Sequence, residues 1–64
     1  MIMNAERMIE IAKIAIQKSL TYEELYYSDY MYGDEKSTDE VWEYVEEAKD
    51  IGMGSFNRKY HNSK

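Results

Sequence analysis

The chain has 64 residues, no cysteine and no proline, and its thirteen carboxylates outnumber eight lysines and arginines to give a net charge of −5. That length allows one domain with a small core, since folding at this size buries only roughly 60% of the surface exposed by the unfolded chain. The lack of cysteine excludes a disulfide framework and a thiolate zinc site, and the acidity disfavours direct binding to nucleic acid or anionic lipid.

Asn4 is placed to cap a first helix, in which Ala5, Met8, Ile9, Ile11, Ala12, Ile14, Ala15 and Ile16 cover most of the circumference. Only Glu6, Glu10, Lys13 and Gln17 form a polar stripe, at spacings of four, three and four. A helix this apolar is expected at the centre of the fold, or packed on a second copy of the chain.

Thr21-Tyr22-Glu23-Glu24 has the form of a reciprocal capping box, so a second helix is predicted from Tyr22 to Tyr32, ending at Gly33. Its inward set is Tyr22, Leu25, Tyr26, Tyr30 and Met31, which leaves Tyr27 and Tyr32 nearer solvent. Residues 33–37 then read as a loop, with Ser37 or Thr38 capping a third helix. That helix carries Val41, Val45 and Ala48 at i, i+4 and i+7, is flanked by Tyr44 and Ile51, and stops at Gly52. The fold class predicted is therefore all-α, a compact three-helix domain over residues 1–54. Residues 55–64 follow as a short basic tail that Phe56 and Tyr60 can pin to the body.

Glu6, Arg7 and Glu10 interrupt the first apolar stretch, so no secretory signal is recognisable, and nothing approaches the ~20 apolar residues of a membrane span. A cytoplasmic location is expected.

Between Leu20 and Asp50 lie eleven carboxylates, seven of the nine aromatics and only two lysines, Lys36 and Lys49, for a local net charge of −9. Charge of one sign at that density opposes folding by self-repulsion, so a small chain that keeps it is expected to use the field on a partner. The third helix sets Asp39, Glu43, Glu46 and Asp50 at spacings of four, three and four, with Glu40 and Glu47 beside them. Each step rises ~4.5 to 6 Å, a scale similar to that of phosphates along a nucleic-acid strand. The competing interpretation is an ordinary solvated face, although such faces usually mix charges of both signs.

Glu23, Glu24, Asp34 and Glu35 extend the row, and Tyr27, Tyr32 and Trp42 are candidate contacts, because half-exposed tyrosine and tryptophan anchor many protein interfaces. For Trp42 a role in the core is the stronger alternative.

Other chemistries find less support. Asp29 to Glu40 has the length of a calcium loop, but Met31 and Gly33 occupy ligand positions and Asp34 replaces the required glycine. Only a weak cation site at Asp34, Glu35 and Asp39 would remain. A lone histidine, His61, no cysteine nucleophile and no glycine-rich phosphate loop make an enzyme unexpected, and no cofactor is implied. A helix-turn-helix reading fails because its recognition helix would bring six carboxylates to phosphate.

The expectation is a small acidic binding protein. It would act as an inhibitor, occupying the basic groove of a nucleic-acid-handling protein in the manner of a DNA mimic. In size, acidity and lack of catalytic groups it resembles phage-encoded blockers of host defence or DNA metabolism, in style and with no shared motif. The alternative is a homodimer, larger oligomer or accessory subunit assembled through the apolar first helix.

Overall fold

The computed structural model describes residues 4–61, which form four helices and no strand. These are α1 (Ala5–Gln17), α2 (Tyr22–Tyr26), α3 (Glu35–Ile51) and α4 (Met53–Lys59). The all-α expectation holds. None of these helices is long and apolar enough to cross a membrane.

Asn4 opens α1 by accepting a hydrogen bond from the Arg7 amide at 2.8 Å. At its other end Ser19 takes a left-handed φ of 55°. The Leu20 amide then donates to the Ala15 carbonyl at 2.9 Å and the Ser19 amide to that of Ile16 at 3.1 Å. This pair of bonds is a Schellman stop, and it turns Leu20 back against the core.

The capping box of α2 forms in both directions, with the Glu24 amide donating to Thr21 Oγ1 at 3.1 Å and the Thr21 amide to Glu24 Oε1 at 2.8 Å. The helix does not reach Tyr32, however, and ends at Tyr26. Ser28 accounts for the early stop: its hydroxyl donates to the Leu25 carbonyl at 2.6 Å and accepts from the Tyr30 amide at 3.2 Å, replacing helical bonds with side-chain ones. Tyr32 and Gly33 then both adopt positive φ, 53° and 73°, and the Gly33 amide returns to the Tyr26 carbonyl at 2.7 Å. This knot of turns buries Met31 completely.

α3 also starts earlier than predicted. Asp34, rather than Ser37 or Thr38, is its cap, accepting from the Ser37 amide at 3.4 Å and the Ser37 hydroxyl at 3.0 Å. A carboxylate suits this position because it also meets the positive end of the helix dipole. Ser37 and Thr38 are buried instead, and Thr38 Oγ1 donates to the Asp34 carbonyl at 2.7 Å. Among the described residues no buried side-chain nitrogen or oxygen lacks a partner.

α3, not α1, is the hub, since α1, α2 and α4 each pack on it. Its Val41 and Val45 share one buried cluster with Ile11, Ala12 and Ala15 of α1, Leu25 of α2 and Met31, and Ala48 and Phe56 of α4 are buried as well. Ile51, expected to flank that stripe, is 38% exposed. Met8, Ile9, Ile14 and Ile16 of α1 are half-buried, so the apolar helix is less central than its composition implied. Among the described residues the exposed large hydrophobics are Tyr27, Tyr32 and Ile51, none of them on α1.

Gly52, with φ 90° and ψ 148°, ends α3 and begins α4, a geometry that side chains disfavour. The stretch predicted as a tail is thus helical as far as Lys59, with Phe56 fully buried. Residues 62–64 lie outside the described residues.

Candidate functional site

Because α3 is held on three sides, its carboxylates stand on a rigid support, and helical spacing sorts them into two groups. Asp39 bonds to Tyr22 of α2, and Glu46 bonds to Trp42, which meets that tyrosine. Tyr22 donates its hydroxyl to Asp39 at 2.5 Å, and its ring meets Trp42 edge-on at 5.7 Å. Trp42 Nε1 donates to Glu46 at 3.1 Å, and Lys49 Nζ lies 5.2 Å from the indole centroid. Trp42 is therefore half-buried and bound on several sides. The Asp39 hydrogen bond, with burial and the nearby charges of Asp39 and Glu35, pushes the Tyr22 phenol up to about 12.

Glu47 belongs with α4. It accepts from the Lys59 ammonium and, at 2.6 Å, from the Tyr60 hydroxyl. The Lys59 bond first and the Tyr60 bond second hold the Glu47 carboxyl below its ordinary value. The same contacts raise Lys59 and Tyr60 above theirs. The basic end of the chain thus covers one position of the acidic face.

Glu40, Glu43 and Asp50 remain. All three are exposed and have no hydrogen bond or ion pair with another described residue. Glu40, Glu43 and Glu47, at spacings of three and four, line a groove of about 400 Å³ with Tyr44 of the same helix, Met8 of α1 and Tyr60 beyond α4. The row expected from Asp39 to Asp50 is thereby divided. Glu40, Glu43 and Glu47 share a groove that only the packing of α1, α3 and Tyr60 could reveal.

The extensions of the row are less uniform than the sequence implied. Glu23 and Glu35 are exposed, whereas Glu24 is held in its capping box and Asp34 in its cap. The Ser37 bonds, hydroxyl first and amide second, lower the Asp34 carboxyl. Tyr27 and Tyr32 are 75% and 73% exposed. The Tyr27 ring packs edge-on against Tyr26 at 4.8 Å, so the aromatic surface is fixed in place. At Asp34, Glu35 and Asp39 the oxygens of two of the three side chains already serve Ser37 and Tyr22. Among the described residues no three of His, Cys, Asp and Glu are grouped to hold a metal ion.

Sequence reasoning missed the roles of Tyr22 and Tyr44 at this surface, whereas Tyr60 pins the basic stretch to the body as the sequence implies, through Glu47. Compared with known proteins, the chain matches no family model, no curated protein and no solved structure.

Proposed function

We propose that this chain is a small acidic binding protein that inhibits a nucleic-acid-handling protein by occupying its basic groove with the carboxylates of α3. The observation that carries this reading is that Glu40, Glu43 and Asp50, on the helix that holds the fold together, have no ion pair with another described residue. Flexible acidic tails lose entropy when they dock, and a preorganised row avoids much of that loss. Negative charge fixed on a helix also steers a basic partner toward it and raises the rate of encounter.

The exposed tyrosines support the same reading. Tyr32 holds a left-handed backbone, which is costly for an aromatic residue, while its side chain adds nothing to the core. Together with Tyr27 it offers ring faces to arginine and lysine side chains beside the charged helix.

The test is affinity purification on the immobilised chain with salt elution, followed by competition between the chain and duplex DNA for the purified target. The expected target is basic and is displaced by DNA. Retention of the same target with undiminished affinity by the folded triple variant Glu40→Lys, Glu43→Lys, Asp50→Lys would refute the proposal.

A further inference from the structure

We propose that the groove between α1, α3 and α4 is a receptor for an arginine side chain of the basic partner, an inference that rests on the reading above and specifies its central contact. The groove is lined by Glu40, Glu43, Tyr44, Glu47, Tyr60 and Met8, and its volume of about 400 Å³ lies within the range of small-ligand pockets. Three carboxylates line it, and among the described residues only one of them, Glu47, has an ion pair, with Lys59. The groove therefore complements a further cation.

The chain's own fold shows how this surface takes a cation. Lys59 pairs with Glu47 and stands 5.4 Å from the Tyr60 ring centroid, so one carboxylate and one tyrosine at the edge of the groove already hold an ammonium together. The rest of the groove offers the same kinds of side chain in Glu40, Glu43 and Tyr44, and neither carboxylate is paired with another described residue. Tyr44 and Tyr60 meet edge-on at 5.5 Å, which makes a fixed aromatic corner.

Arginine fits this arrangement better than lysine. Its planar guanidinium can stack on a tyrosine and donate to two carboxylates at once, and it is more weakly hydrated than an ammonium. Met8 supplies apolar surface for the methylene stem. No backbone change is required, because the groove is present in the unbound chain.

The test is an NMR titration of the ¹⁵N-labelled full chain with two charge-matched probes, the acetylated amides of glycine-arginine-glycine and glycine-lysine-glycine. The arginine peptide is expected to bind saturably, at least about threefold tighter than the lysine peptide, with shifts centred on Met8, Glu43, Tyr44 and Tyr60. Glu43→Gln is expected to weaken it by about threefold or more, while Asp29→Asn, at an exposed position outside the groove, leaves it unchanged. Equal binding of the two peptides, or equal losses from Glu43→Gln and Asp29→Asn, would overturn the receptor. In that case a basic target that still binds in a salt-sensitive manner would leave the acidic-face reading intact. Arginine-selective binding in the groove without any basic target would instead support the groove and count against the broader reading alone.

Discussion

Tyr60 donates its hydroxyl to Glu47 at 2.6 Å, across the junction where the basic α4 folds back on the acidic α3. Lys59 meets the other oxygen of the same carboxylate, so one side chain of the acidic face is used to fasten the last helix.

This fastening has a defined pH window. The Glu47 carboxyl is lowered from an ordinary 4.5, so its contribution to stability is complete above that value and is lost as pH falls through the lowered one. Lys59 and Tyr60 are raised from 10.5 and 10.0, so theirs is complete below pH 10 and is lost as pH rises through the raised values. Thermal unfolding followed by circular dichroism should therefore show a plateau that falls on both sides. Glu47→Gln should lower the plateau and flatten both flanks, leaving on the acid side the part due to Asp34, whose carboxyl is also lowered.

Tyr22 provides a spectroscopic check on the other side of α3. In an ultraviolet titration of the folded chain one phenol should ionise near pH 12. Asp39→Ala removes both the hydrogen-bond acceptor that favours the protonated phenol and the adjacent charge, and should bring that ionisation back toward 10.0. An unchanged titration curve would mean that Tyr22 and Asp39 do not meet.

Phe56 tests whether α4 belongs to the fold. Its side chain is fully buried, and Phe→Ala at such sites costs about 3–5 kcal/mol, against a total of roughly 3–10 kcal/mol for a chain of this length. Phe56→Ala should leave the protein largely unfolded in urea titrations that barely affect the wild type. A tail merely lying on the surface would tolerate the change.

The two glycines at the α3–α4 junction should respond in opposite directions. A methyl group at Gly52 meets nothing within 4 Å, yet φ of 90° disfavours any side chain, so Gly52→Ala should cost about 1–3 kcal/mol through the backbone alone. Gly54 is equally open but helical, and Gly54→Ala should stabilise by roughly 0.5–1 kcal/mol. Chemical denaturation of both variants measures the difference.

Much of this fold is legible in the sequence where the signal is local. The Asn4 cap, the Thr21–Glu24 box, the Val41, Val45 and Ala48 stripe and the stop at Gly52 all depend on residues within a few positions of one another. What the sequence concealed depends on competition or on distant contacts. Ser28 ends α2 because its hydroxyl outcompetes a helical bond, and Asp34 takes the cap from Ser37 and Thr38 because those two side chains are needed inside. The apolar composition of α1 suggested a central helix, but centrality follows from which element the others can all reach, and that is α3. The candidate site divides in the same way. Its exposed carboxylates and tyrosines could be read from spacing, whereas the engagement of Glu47 by α4 and the groove beside Tyr44 required the folded chain.

The central claim is that the unpaired carboxylates of α3 make the contact with a basic partner. The most direct measurement is the dissociation constant of the purified target for the wild-type chain and for Glu40→Gln, Glu43→Gln, Asp50→Asn, from about 50 mM to about 500 mM salt. The account predicts that wild-type binding weakens by at least about tenfold over that range, and that the triple variant, folded by circular dichroism, binds more weakly with a shallower salt slope. A salt-independent affinity shared by both proteins would contradict it.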